Sequence, residues 1–169
     1  MSPRAVLIGA PGAGKTTVGR ALAARLGVAF QDTDDAVVAL AGKPIPDIFV
    51  EDGEDAFRAL ETKCLERLLA SSSGVLSLGG GVVMRAENRA LLAGHVVVWL
   101  DVTLSEAVAR VGLGTTRPLL LGNVRGRLLE LLAERTPVYA SVSRVRINTS
   151  QRPIPDIVGE IVQALENHG

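Results

Sequence analysis

The sequence predicts an α/β fold, a three-layer sandwich with helices on both faces of a five-stranded parallel sheet, and three observations carry that prediction. Five short runs, AVLI, AFQD, VLSL, VVVWL and VRINT, are apolar or β-branched and bounded by glycine or polar residues, as buried strands are. Longer stretches of helical periodicity separate them, and strands that alternate with helices pair in parallel through right-handed crossovers. At 169 residues with 47% apolar content the chain can bury one sizeable core but not two, so residues 1–169 are expected to form one domain. Ligands in such folds bind at the carboxyl ends of the strands, and chemistry is sought there.

Composition excludes several classes. Eighteen basic residues against eighteen acidic ones leave no net charge, which removes the electrostatic footprint of a nucleic-acid or membrane-surface partner. Cys64 is the lone cysteine, so no internal disulfide can form. With Phe57, Leu60 and Leu68 it makes a helical stripe that points to a core thiol. The apolar run AVLIGA is broken by PGAGK before it reaches the length of a signal peptide's apolar region, and no stretch approaches about 20 apolar residues. A cytoplasmic setting, no membrane or nucleic-acid partner, and a monomer are expected.

The first strand, AVLI, runs into GAPGAGKT, Gly9 to Thr16, which fits G-x-x-x-x-G-K-[ST] and leads into the helix TTVGRALAARLG. Gly9, Gly12 and Gly14 let the backbone curl so that successive N–H groups face phosphate oxygens at the positive end of the helix. Lys15 can reach the β- and γ-phosphates, and the Thr16 hydroxyl can ligate Mg²⁺. Nucleotide binding follows, but the same loop serves switches, motors and small-molecule kinases. No N-K-x-D guanine motif occurs, and no residues remain for a motor or effector domain. A kinase for a small acceptor therefore leads over a nucleotide-dependent switch.

The second strand ends in FQDTDD. Asp32 and Asp34, two apart, would share a side of an extended segment while Asp35 opens the next helix, and a strand neighbouring the first would set these acids beside the phosphate loop. One acid could hold Mg²⁺ through water while the other accepts a proton from an attacking hydroxyl. Glu54 and Asp55 begin a helix through Leu69 in which Arg58 lies one residue from a core position. The third strand, VLSL, ends at Gly79, Gly80 and Gly81, where a tight turn and a second ligand cradle are both open readings.

The fourth strand ends at Asp101, read as a turn acid rather than a metal ligand, ahead of a capping box of Thr103 and Glu106. Trp99 within it is assigned to the core. Gly112 to Gly126 carries four glycines and Arg117 and is long for a connection in a compact domain, so a mobile functional loop is expected. Arg135 stands just before Pro137, which is expected to end its helix. Arg58, Arg117 and Arg135, if they converge, would suit an anionic acceptor, because guanidinium forks match carboxylate geometry.

Taken together, GAPGAGKTT, DTD, IPDIFVEDGEDAFRALE, LSLGGGVV, TTRPLL and ERTPVY, in this order and spacing over nearly the whole chain, resemble shikimate kinase. The resemblance implies the nucleoside monophosphate kinase fold among P-loop NTPases, and transfer of the γ-phosphoryl of ATP, with Mg²⁺, to the 3-hydroxyl of shikimate. It implies that Gly12, Ala13, Gly14, Lys15, Thr16 and Thr17 hold the ATP phosphates, that Thr16 ligates Mg²⁺, and that Asp32 and Ser77 reach the metal through water. Asp34 would bind the ring hydroxyls and act as the base, with Lys15 and Arg117 at the transferring group. Arg58 and Arg135 would grip the carboxylate, and Gly79, Gly80 and Gly81 would line the acceptor, Gly80 through its N–H.

Ile45, Phe49 and Phe57 would wall the ring, and Glu61 would orient Arg58. The acceptor segment would span about 33–61, and a lid of about 112–126 would carry Arg117 over the phosphates. TSQRPIP resembles the family's adenine loop. Arg152 fits its arginine, Arg110 would stack on the base, and Pro153 and Pro155 flank the position expected for an adenine-packing proline. The alternative is another kinase of this fold acting on gluconate, which the glycine triplet and paired arginines fit less well than a cyclic acid.

Overall fold

The computed structural model describes residues 2–114 and 124–168. Strands β1 (Ala5–Ile8), β2 (Phe30–Asp32), β3 (Val75–Ser77), β4 (Val97–Asp101) and β5 (Val145–Asn148) pair in parallel in the order β2-β3-β1-β4-β5. All five expected strands are present, with ends moved by a residue. Among the described residues eight helices accompany them: α1 (Lys15–Leu26), α2 (Thr33–Ala41), α3 (Ile45–Glu51), α4 (Glu54–Ser71), α5 (Ala86–Leu92), α6 (Leu104–Gly114), α7 (Val124–Val142) and α8 (Ile154–His168). A single 3₁₀ turn, Val82–Met84, follows β3. None of the described helices is long and apolar enough to cross a membrane.

The central strands β1, β3 and β4 are buried on both faces and read as continuous apolar runs, whereas the edge strand β5 alternates buried and exposed residues and the edge strand β2 is only partly buried. Ala5 and Leu7 of β1 join Val98, Leu100, Val145 and Ile147 in a core closed by Val18 and Leu22 of α1 and Ile157 and Ile161 of α8. Val6 and Ile8 face the other way, where Leu76, Val97 and Trp99 pack against Leu65 and Leu68 of α4 and Tyr139 of α7. A smaller third cluster, Val37, Ile48, Phe57 and Cys64, ties α2, α3 and α4 together, so Cys64 is indeed a core thiol.

The strand order locates the crevice. After β1 the chain turns to α1 on one face, whereas after β3 it turns to Val82, Val83 and α5 on the other. Adjacent strands whose connections leave in opposite directions open a cleft at their carboxyl ends. That cleft lies between the phosphate loop and the three glycines.

Four local expectations need correction. β2 does not neighbour β1, because β3 lies between them. The helix after β2 begins at Thr33, and it is Asp32 that caps it, its carboxylate accepting the Asp34 N–H at 2.7 Å. Asp34 is therefore helical rather than extended, and Asp35 merely adds charge to the first turn. α7 does not end at Pro137 but continues to Val142. The proline's cost of about 3 kcal/mol is offset by burying Leu128 before it and Tyr139 after it, each worth roughly 2 kcal/mol. The capping box ahead of α6 is half formed: the Thr103 hydroxyl accepts the Glu106 N–H at 3.3 Å, but the Glu106 carboxylate is turned to the backbone N–H of Gln151.

Candidate active site

The phosphate loop forms as its glycines require. Gly9, Gly12 and Gly14 all have positive φ, and a β-carbon on Gly9 would lie 2.6 Å from the Leu100 carbonyl oxygen. Gly14 caps α1 with φ 84°, which leaves the first amides of α1 at the mouth of the loop. Lys15 turns its ammonium back onto the carbonyls of Gly9 and Ala10, at 2.7 and 3.1 Å. Burial lowers its pKa to about 8, against the opposing pull of Asp32 and Asp34. A cleft of about 400 Å³ opens here, lined by Pro11, Gly12, Gly14 to Thr17, Asp32, Asp34, Leu78, Gly79 and Gly80.

The acids reach this cleft although their strand is one removed from β1. Burial raises the Asp34 carboxyl above its ordinary value, the neighbouring Asp32 charge adds to the rise, and Lys15 opposes it. Asp32 is likewise raised by burial, which its bond from the Asp34 amide opposes.

Ser77 offers a test of whether Mg²⁺ fits. Its hydroxyl is buried without a hydrogen-bond partner among the described residues. The register sets Ser77 beside Leu7 on one side and Asp32 on the other, and Leu7 packs toward α1. Ser77 and Asp32 thus face the start of α1, where Thr16 stands, and an all-oxygen set of two hydroxyls and a carboxylate suits a hard cation that keeps most of its waters. Among the described residues no group of three or more His, Cys, Asp or Glu side chains could hold a metal by itself.

Each glycine of the triplet faces a functional side chain, and Gly79 faces two, since Glu61 Oε2 would lie 3.2 Å from a β-carbon there. A β-carbon on Gly79 would lie 2.9 Å from Asp34 Oδ1, one on Gly80 2.8 Å from an Arg135 guanidinium nitrogen, and one on Gly81 2.8 Å from an Arg58 guanidinium nitrogen. Two of the three arginines therefore converge; Arg117 lies outside the described residues. Arg58 donates to Glu61 Oε1 at 2.6 Å and rests on the Phe57 ring, 5.2 Å from its centroid. Glu61 is 2% exposed; burial raises its carboxyl above the ordinary value and the Arg58 hydrogen bond opposes that rise. A second cleft of about 530 Å³, lined by Glu54, Asp55, Arg58, Gly81, Met84, Arg85, Glu134 and Arg135, adjoins the triplet. Phe49, an exposed side chain, packs on Phe57 with 4.8 Å between ring centroids, and Ile45 packs on the third cluster; none of the three is among the residues that line the two clefts.

On the outer side of the loop, Arg110 donates to Gly12 O at 2.8 Å and to Glu106 at 3.2 Å. It lines a pocket of about 220 Å³ with Ala13, Gly14, Thr17, Val18, Thr149, Ile154 and Ile157. Ile154, the residue between Pro153 and Pro155, supplies apolar surface there. Arg152 is instead bound to the Asn148 carbonyl and to Glu160. Asp101 is the last residue of β4 rather than part of a turn, and it pairs with Arg146 of the neighbouring β5 through two hydrogen bonds.

Two residues of the site escaped the sequence reading. Thr33, fully buried, accepts the Gly79 N–H at 2.9 Å, and the Tyr139 hydroxyl donates to Gly80 O at 2.8 Å. Thr33 was hidden among three aspartates, whereas Tyr139 carries a legible signal, four residues after Arg135 on one helix face.

Comparison with known proteins agrees with this geometry. A family model described as shikimate kinase matches residues 11–166. The chain is 56% identical over 160 residues to a shikimate kinase of Thermobifida fusca, covering 95% of this chain and 92% of that one. It is 52% identical to one of Salinispora arenicola, covering 98% and 99%. Among solved structures, shikimate kinase from Acinetobacter baumannii in complex with shikimate superposes with a TM-score of 0.90 at 36% identity, covering 99% of this chain and 94% of that one. A gluconokinase from Sinorhizobium meliloti, at 22% identity and TM-score 0.62 over 96% and 91% of the two chains, shares the fold alone.

Proposed function

The chain belongs to the shikimate kinase family, and from that premise we propose how its residues divide the work of passing the γ-phosphoryl of MgATP to the 3-hydroxyl of shikimate. The observation that carries the assignment is the bare backbone of Gly79 to Gly81 with the carboxylates of Asp34 and Glu61 and two guanidinium groups against it. Arg58 and Arg135 bind the acceptor's carboxylate, and Glu61 holds Arg58 in orientation. The Gly80 N–H adds a backbone contact, and Ile45, Phe49 and Phe57 back the ring. Asp34, kept basic by burial and by Asp32, binds the ring hydroxyls and accepts the proton of the 3-hydroxyl as its oxygen attacks phosphorus.

On the donor side, Gly12 to Thr17 and Lys15 cradle the phosphates, and Arg110 borders the base. Thr16, and through water Asp32 and Ser77, would hold magnesium, which when bound would supply positive charge to the phosphates. The products are ADP and shikimate 3-phosphate. Residues of about 33–61 serve as the acceptor segment. The lid of about 112–126, with Arg117, falls for the most part outside the described residues. We read the chain as a monomer that acts in the cytoplasm on a small molecule.

The test is ADP release from MgATP measured with shikimate and with gluconate, for the native chain and for Asp34→Asn. Release should depend on shikimate and fall about 100-fold or more in turnover for the variant. Turnover that responds to gluconate and not to shikimate would overturn the acceptor assignment. Native turnover in Asp34→Asn, with only shikimate binding weakened, would reduce Asp34 to positioning.

A further inference from the structure

A run of three glycines has unusual backbone freedom, so a cradle built from one must be held from outside. Here the holding groups are identifiable. The Gly79 N–H donates to the Thr33 hydroxyl, Gly79 O accepts from the Val82 amide at 3.1 Å, Gly80 O accepts from the Tyr139 hydroxyl, and Gly81 O accepts from the Met84 amide at 3.1 Å. Nothing among the described residues accepts from the N–H groups of Gly80 and Gly81. Two of the four anchors are side-chain hydroxyls that come from opposite sides, Thr33 from the start of α2 and Tyr139 from α7. Both are buried, at 0% and 1% exposure.

We propose that Thr33 and Tyr139 are positioning residues for the acceptor, their hydroxyls fixing the Gly79–Gly81 backbone so that its two uncommitted N–H groups stay presented to the anionic substrate. The inference rests on the acceptor site assigned above. The peptide unit is planar, with its C=O and the following N–H opposed. Holding Gly80 O therefore fixes the direction of the Gly81 N–H. Holding the Gly79 N–H fixes the peptide through which β3 enters the triplet.

The placement also links these anchors to the groups that bind substrate. Tyr139 lies one turn after Arg135, whose guanidinium abuts Gly80, and Thr33 lies between Asp32 and Asp34, the latter abutting Gly79. The Tyr139 ring is independently packed against Trp99, 6.0 Å between centroids, so its hydroxyl can be removed with the ring left in place.

The experiment compares Tyr139→Phe, Thr33→Val and Thr33→Ser, with Trp99→Phe as a packing control that touches no hydroxyl of the cradle. Loss of one neutral hydrogen bond predicts a rise of about fivefold in KM for shikimate in Tyr139→Phe and in Thr33→Val. KM for MgATP should stay within about twofold, because no donor-side amide is released. Thr33→Ser, which keeps the hydroxyl, should restore the native KM, and Trp99→Phe should lower Tm with both KM values native. The proposal is overturned if the two hydroxyl-deleted variants lower Tm with both KM values native, or raise both KM values equally. Thr33→Val alone overturns the Thr33 half if Thr33→Ser shares its defect. A native chain that releases no ADP in response to shikimate would sink the acceptor assignment instead, a result visible before any variant is made.

Discussion

Lys15 keeps its charge at neutral pH at a cost from burial. Burial brings its pKa to about 8 from 10.5, and the carboxylates of Asp32 and Asp34 oppose but do not cancel that effect. Polyanionic phosphates entering the loop favour the charged form, so the pKa in the nucleotide complex lies above that of the free chain. Below pH 8 the lysine is protonated in both states and contributes no pH dependence. Above pH 8 the free chain loses the proton, binding must take one up, and affinity falls by up to about tenfold per pH unit until the pKa of the complex is passed. Calorimetric titration of MgATP from pH 7 to 9.5, in buffers of differing ionisation enthalpy, should show both the decline and proton uptake. A flat affinity with no proton exchange across that range would contradict the assignment.

The turn that ends β3 shows how an element can be functional through what it lacks. Gly80 does not have a positive φ, so alanine is acceptable to the backbone, but its β-carbon would meet an Arg135 nitrogen at 2.8 Å and Pro11 Cδ at 3.6 Å. The guanidinium is the end of a flexible side chain and gives way. Gly80→Ala should therefore fold with a near-native Tm while KM for shikimate rises at least about tenfold, the loss of one charge-assisted hydrogen bond. Equal impairment of MgATP and shikimate in steady-state kinetics would mean that the turn supports the phosphate loop instead.

This also marks what could be read in advance. The phosphate loop was legible because its chemistry depends on consecutive residues, and the central strands because burial on both faces makes them continuous apolar runs. The role proposed for Asp34 comes from the family resemblance, which carried no sign of its helical position: Asp32 captures the Asp34 amide and starts α2 at Thr33, two residues before Asp35. The passage of α7 through Pro137 was not legible at all. It depends on the burial of Leu128 and Tyr139, which no local propensity contains.

Across the whole molecule, the strand order does what composition cannot. With no net charge the chain has no overall field to draw in anions, yet both proposed substrates are anionic. The order β2-β3-β1-β4-β5 sets the end of β3 beside the end of β1 and brings α2, α4 and α7 around it. Arg58 and Arg135, far apart in sequence, thereby share one small wall of backbone with Asp34. On the proposed assignment, selection of the acceptor is a short-range matter of two guanidinium groups, partly shielded from salt by their half-buried position. Two consequences separate this from attraction by a diffuse field. Esterifying the acceptor's carboxylate removes its charge and one fork partner, and should lower kcat/KM about 100-fold, the equivalent of roughly 3 kcal/mol from charge-assisted bonds. Raising ionic strength from about 0.05 to 0.5 M shortens the Debye length several-fold, yet should change kcat/KM for shikimate by less than about threefold. Initial rates on both acceptors at both salt concentrations decide the matter. A steep salt dependence together with an ester as good as the acid would show that general electrostatics, and not the Arg58 and Arg135 pair, selects the substrate.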